Sequence, residues 1–228
     1  MNAQTPLSRR TLLQRSAVLG VAAAAGALAS CSSSGTPTNQ TPRASEDATT
    51  TPPSSGRVLL AYFSRPGENY YRGGRRNLDV GNTEVLARMI NDLIDADLYR
   101  TEAAEPYSNS YDATVARNVD EQNSDARPAI ANPLDSISQY DTVLVGSPIW
   151  NVRPPMIMTT FLESHDFTGK TVHPFVTYAV SGLGRTEAVY SSALRGARLQ
   201  PGLAVRGEEA GDHRADVEEW LAQAGLTS

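Results

Sequence analysis

Beyond residue 56 the chain alternates short, β-rich apolar runs with amphipathic stretches, the pattern of repeated β-α units around a parallel sheet. Residues 57–63 (Arg-Val-Leu-Leu-Ala-Tyr-Phe) are almost continuously apolar, as in a strand covered on both faces. The spacing of Val85, Leu86, Met89, Ile90, Leu93 and Ile94 predicts a helix over residues 83–95. Residues 97–102 form a second strand candidate. Residues 107–123 are polar with weak helical spacing and read as a partly helical crossover. A third strand is predicted over 140–147, ending at Pro148. Pro155 then fits the first turn of a helix carrying Met156, Ile157, Thr160, Phe161 and Leu162. A fourth strand follows over 171–178, a helix near 185–194 and a fifth strand within 197–206. Asp212 can cap a last helix that buries Val217, Trp220 and Leu221. The pattern predicts one α/β domain of three layers, residues 57–228, with five parallel strands.

Ahead of that domain the pattern differs. Residues 1–15 are polar and basic, and residues 17–29 form an uncharged Ala, Leu and Val run too short for a permanent membrane span. Ser8-Arg9-Arg10-Thr11-Leu12-Leu13 resembles a twin-arginine export motif, which carries folded cargo. Leu28-Ala29-Ser30-Cys31 resembles a bacterial lipobox, with Cys31 as the lipidated residue. Residues 1–31 therefore read as a signal peptide with lipobox. Residues 32–56, dominated by Ser, Thr, Pro, Gly and Ala, read as a disordered tether. These features predict export and lipid anchoring at the outer face of the cytoplasmic membrane, with more than one acyl chain for stable attachment.

Charge sharpens the division. Of 228 residues, 20 are Lys or Arg and 25 are Asp or Glu. Residues 1–56 hold four arginines against two acids, a net +2, so the remainder carries 16 basic against 23 acidic residues, a net −7. That balance argues against a nucleic-acid binder. A single Cys excludes an internal disulfide framework and Cys-built metal sites, and His165, His173 and His213 have no ligand spacing.

In open parallel sheets ligands bind beyond the carboxyl ends of the strands. After the first strand stand Ser64, Arg65 and, past a loop holding Tyr70, Tyr71, Arg72, Arg75 and Arg76, the triplet Gly81-Asn82-Thr83 at a helix start. A helix N-terminus with its unpaired N–H groups suits a phosphate. After the third strand come Pro148, Ile149, Trp150, Asn151 and Val152, where Trp150 offers a stacking platform. After the fourth come Thr177, Tyr178, Ala179, Val180, Ser181 and Gly182, with backbone donors and a second aromatic ring. A phosphate cradle, a stacking platform and polar backbone together describe a flavin mononucleotide (FMN) site.

The sequence resembles the flavodoxin family through Ala61-Tyr62-Phe63-Ser64-Arg65, Gly81-Asn82-Thr83-Glu84-Val85, Tyr140-Asp141-Thr142, Gly146-Ser147-Pro148-Ile149-Trp150, Thr160-Phe161-Leu162-Glu163 and Gly169-Lys170-Thr171. The resemblance implies a flavodoxin-like sandwich with strand order 2-1-3-4-5. It also implies noncovalent FMN, with phosphate at Ser64, Arg65, Gly81, Asn82 and Thr83 and the ring between residues 148–152 and 177–182. No catalytic side chain is required, because the redox chemistry belongs to the cofactor. The implied role is electron transfer or a small flavin-dependent reductase, working with a redox partner protein or a small quinone- or flavin-type acceptor. The acidic domain disfavours adding negative charge to a flavin and so favours a low potential.

Departures from the family fall at the ring. Many relatives read Trp-Trp-Gly where this chain has Trp150-Asn151-Val152, and Gly-Gly where it has Ala179-Val180. The alternative reading is a noncatalytic binding lipoprotein that keeps the sheet and has lost or weakened FMN binding. Other chemistries find little: Gly182-Leu183-Gly184 lacks the third glycine of a dinucleotide fingerprint, and Ser181 lacks the nucleophile elbow of a serine hydrolase.

Overall fold

The computed structural model describes residues 56–227, so the export motif, Cys31 and the tether lie outside the described residues. Five parallel positions build the main sheet. Val58–Tyr62 (β1) lies between Ala96–Arg100 (β4) and Thr142–Pro148 (β5), and β5 pairs onward with Thr171–Tyr178 (β6). The fifth position is shared by two short strands, Arg198–Leu199 (β7) and Leu203–Arg206 (β8), both parallel to β6. The expected fifth strand is thus broken at residues 200–202, where Pro201 has no N–H to give a ladder. In order of appearance the five positions run 2-1-3-4-5, the predicted arrangement.

One element departs from the expected loop after β1. Gly67–Tyr71 (β2) and Gly74–Leu78 (β3) form an antiparallel hairpin. Its turn residues Arg72 and Gly73 both have positive φ, 46° and 85°, the signature of a two-residue hairpin turn.

Alternation along β1 fills both faces of the sheet. Leu59, Ala61 and Phe63 enter one core with Ile157, Met158, Phe161 and Tyr190, and Leu60 and Tyr62 enter the other with Leu86, Ile90, Val217, Trp220 and Leu221. The helices Met156–Glu163 (α3) and Thr186–Ala193 (α4) therefore cover the first face, and Asn82–Asn91 (α1) and Arg214–Gln223 (α5) the second. The region read as a partial crossover is a full helix, Tyr111–Asn123 (α2), capped by Ser110, whose Oγ accepts from the Ala113 N–H. Two expected helix starts shift by a residue or two. Pro155 is the cap of α3 instead of lying in its first turn, and α5 starts after His213, so Asp212 does not cap it. Lys170, the only lysine in the chain, is buried just ahead of β6, its Nζ donating to the Tyr140 carbonyl at 2.6 Å.

Among the described residues no helix is long and apolar enough to cross a membrane, and no cluster of His, Cys, Asp or Glu could hold a metal ion.

Candidate functional site

A cleft of about 320 Å³ opens at the carboxyl ends of β1, β5 and β6, in the size range of small-ligand pockets. Most of the residues assigned to the cofactor from the sequence line it. Ser64, Arg65, Asn82 and Thr83 form one end, and Pro148, Ile149, Trp150, Asn151, Thr177 and Tyr178 bring the strand ends and the aromatic rings to it.

At the first end, α1 begins directly after Gly81, which has extended backbone at φ −69° and ψ 147°. The N–H groups of Glu84 and Val85 are taken by the Gly81 carbonyl, and Glu84 N–H also reaches Ser64 Oγ at 3.1 Å. The N–H groups of Asn82 and Thr83, the first two residues of the helix, remain available to an anion. Gly81 itself does not line the cleft; it lets the helix start press against the β1 loop. A Cβ there would lie 2.3 Å from Ser64 Oγ and 2.5 Å from the Arg65 carbonyl oxygen. The Thr83 hydroxyl shares a 2.7 Å hydrogen bond with that of Thr177, tying α1 to the end of β6.

Arg65 plays a different part from a free phosphate clamp. Its guanidinium donates to the carbonyls of Ser108, at 2.8 Å, and Glu68, and so braces the β1 loop against the hairpin and the approach to α2. Burial holds its pKa below the ordinary arginine value, and its Nε has no partner within the described residues. The hairpin arginines are likewise turned to structure. Arg75 makes two hydrogen bonds to Asp112, at 2.6 and 2.8 Å, and lies 4.6 Å over the Tyr111 ring, latching the hairpin onto α2. Arg72 and Arg76 flank the Tyr71 ring at 6.0 and 5.0 Å.

At the other end Trp150 meets Phe63 edge-on at 5.6 Å and Tyr107 at 5.1 Å, so its orientation is set from behind by packed rings. Tyr107 is fixed in turn: its hydroxyl donates to Glu121 at 2.8 Å, and burial first, then the Glu121 charge, raises its pKa far above the ordinary phenol value. Trp150 and Arg153 exchange backbone hydrogen bonds at 2.9 and 3.3 Å around Asn151 and Val152, both at positive φ, 49° and 62°. Gln122 pins this turn from α2, donating to the Trp150 carbonyl at 3.2 Å and accepting from Asn151 at 2.9 Å.

Four of the residues assigned to the ring do not reach the cleft. Val152 points from the turn, half exposed, because its carbonyl is drawn the other way, accepting from the Arg185 N–H at 2.8 Å. Val180 is 79% exposed. Ser181 and Gly182 belong to a turn closed by the Ser181 carbonyl accepting from Gly184 N–H at 3.0 Å, which carries them off the wall. Gly184 has φ +54°, and a Cβ on it would lie 2.4 Å from the Val152 oxygen, so the two loops lock back to back.

A β-branched residue at positive φ costs about 1–3 kcal/mol. Replacing Val152 with Gly should therefore stabilise the domain by about 1 kcal/mol, after allowance for the added freedom of the unfolded glycine. The midpoint of thermal unfolding should rise by about 2–4 °C. An unchanged or lowered midpoint in a thermal melt would show that Val152 is unstrained.

Sequence reasoning does not reveal the wall that α2 contributes. Thr114, Val115, Asn118 and Val119 project from one face of α2 into the cleft, joined by Asn69, Tyr70 and Tyr111 from the hairpin and the α2 start. The signal was the i, i+1, i+4, i+5 spacing, hidden because half of the face is polar and both valines are exposed, at 42% and 37%. Ala179, Gly207 and Glu208 complete the lining.

The family model for flavodoxin matches residues 78–224. The chain belongs to the flavodoxin family. Solved structures agree with this membership. A protein of Bacteroides eggerthii named as a flavoprotein is 27% identical, with a TM-score of 0.61 over 75% of this chain and 99% of its own. A second, from Bacteroides uniformis, is 29% identical, with a TM-score of 0.59 over 74% and 99%. A flavoprotein of Lactobacillus acidophilus, solved in complex with FMN, shares the fold at 19% identity and a TM-score of 0.51 over 72% and 98%. Comparison with curated proteins finds no match. In this flavodoxin the cleft lies at the carboxyl ends of β1, β5 and β6, next to the β1–β5 boundary where the strand order reverses, the usual ligand site of such sheets.

Proposed function

We propose that this flavodoxin binds FMN noncovalently and serves in electron transfer or as a small flavin-dependent reductase. The observation that carries the reading is the pairing, within one cleft, of a helix start with free N–H groups at Asn82 and Thr83 and an aromatic end formed by Trp150 and Tyr178. The residues suit the group: the N–H donors match a phosphate, the rings match a flat heterocycle, and Gly81 lets the start of α1 pack close against the β1 loop that carries Ser64. When bound, FMN supplies one- and two-electron chemistry that no side chain here provides. The protein's part is to hold the phosphate at α1, orient the ring with Trp150 and exclude water with the α2 face. The FMN complex of the Lactobacillus acidophilus flavoprotein supports the choice of flavin.

The proposal extends to place. The twin-arginine-type motif at Arg9-Arg10 and the lipobox at Cys31 put the mature domain on a tether at the outer face of the cytoplasmic membrane. Export of a folded protein lets the flavin load in the cytoplasm, where FMN is made. The redox partner is a protein or a small quinone- or flavin-type acceptor.

Titration of the purified protein with FMN, followed by flavin absorbance and fluorescence, tests the cofactor. A dissociation constant of micromolar or tighter, about −8 kcal/mol, is expected. Binding only at millimolar concentration would overturn it in favour of a noncatalytic binding lipoprotein. Membrane fractionation of the full chain and of a Cys31→Ser variant tests the anchor: the unaltered protein should sediment with membranes and the variant should not.

A further inference from the structure

Past β8 the chain enters a short 3-10 turn, Gly207–Glu209, which carries Glu208 into the wall of the cleft. Its side chain is only 4% exposed. A carboxylate can only accept hydrogen bonds, yet within the described residues its one charged partner is Arg206, at 3.9 Å. That guanidinium is committed elsewhere, donating to the Ala179 carbonyl at 3.1 Å and lying 5.8 Å over the Tyr178 ring. With no hydrogen-bond donor among the described residues, the carboxylate oxygens take their hydrogen bonds from something that enters the cleft they line.

Its place in the cleft says what that something is. Gly207 presses on the start of α1, since a Cβ there would lie 2.5 Å from Asn82 Nδ2. On the other side, Arg206 is the register partner of Tyr178. Glu208, next in the chain, lines the same cleft beside the α1 start and the strand end that carries Tyr178. A ligand that reaches both ends occupies the cleft that this carboxylate lines.

Resting on the reading of the cleft as an FMN site, we infer that Glu208 accepts hydrogen bonds from the hydroxyl groups of the ligand's polyol chain and makes the cleft selective for a hydroxylated linker. A phosphate at the same point would meet like charge. A purely aliphatic linker would leave the carboxylate buried and unpaired. Hydroxyl donors satisfy it, and the flavin polyol provides them at the middle of the molecule.

The test titrates the full-length protein and its Glu208→Gln and Glu208→Ala variants with FMN, riboflavin and lumiflavin, the last having the ring but no polyol. Flavin fluorescence reports binding, and circular dichroism reports the fold, which the near-isosteric Gln variant should retain. Expected is a loss of affinity of about tenfold to a hundredfold for FMN and riboflavin in the Ala variant, the worth of a charge-assisted hydrogen bond. The Gln variant should lose less, and lumiflavin should bind all three proteins alike. Unchanged FMN and riboflavin affinity in both variants overturns the inference. So does tighter FMN binding by the Gln variant, which would mean that Glu208 repels phosphate, and so does an equal loss for all three ligands, which would mean a structural role. If the unaltered protein binds none of the three, the reading of the cleft as a flavin site falls first and this inference with it.

Discussion

Replacing Gly81 with Ala should weaken FMN binding by about a hundredfold and destabilise the domain by about 1–3 kcal/mol. The backbone at Gly81 is one that any residue adopts, so the penalty is steric. The added methyl would meet the Ser64 hydroxyl at 2.3 Å, the Arg65 carbonyl oxygen at 2.5 Å and the Arg65 carbonyl carbon at 2.8 Å. Two of those three atoms are backbone and cannot rotate aside, so α1 and the β1 loop must separate. The N–H groups of Asn82 and Thr83 move with the helix, and each hydrogen bond to a charged group lost is worth about 1.5–3 kcal/mol. Calorimetric titration and urea unfolding read the two effects separately. A Gly81→Ala protein that is destabilised yet binds FMN as tightly as the unaltered chain would move the phosphate away from α1.

The second large effect is at Trp150. Truncation to Ala removes two edge-to-face contacts, with Phe63 and Tyr107, each worth about 0.5–1.5 kcal/mol. It also removes the platform for the ring, and stacking of a flat heterocycle on an aromatic side chain is worth about 1–3 kcal/mol. The dissociation constant for FMN should rise by about tenfold to a hundredfold, and the absorbance band of the bound flavin should shift toward that of free flavin. Trp150→Phe should recover part of both. An unchanged spectrum and affinity in Trp150→Ala would remove Trp150 from the ring site, whatever happens to stability.

Which parts were legible from sequence follows from what each residue answers to. Strands β1 and β6 are buried on both faces, so their apolar runs announce them without reference to any partner. The cleft end at Ser64, Asn82 and Thr83 is also local, set by a strand end and a helix start. The hairpin was hidden because its turn is Arg72-Gly73 and its second strand, Gly74–Leu78, faces solvent, so no apolar alternation marks it. Val180, Ser181 and Gly182 were assigned by following β6 outward, but the turn held by Gly184 against the Val152 carbonyl redirects the chain. Glu208 was out of reach for a different reason. It enters the cleft only because β8 pairs with β6 far from it in sequence, and a glutamate in an acidic domain reads as solvated surface until the sheet is assembled.

The burial of Lys170 has a consequence for the chemistry of the whole surface. With the chain's one lysine ammonium bonded to the Tyr140 carbonyl, the folded domain meets its surroundings with guanidinium as its only strongly basic side chain. Guanidinium groups are planar, fork-shaped and charged at every accessible pH, and they stack on rings, as they do here on Tyr71, Tyr107 and Tyr111. Acylating and amine-crosslinking reagents therefore find no side chain to modify on the native domain, and a lysine-directed label reports its unfolding.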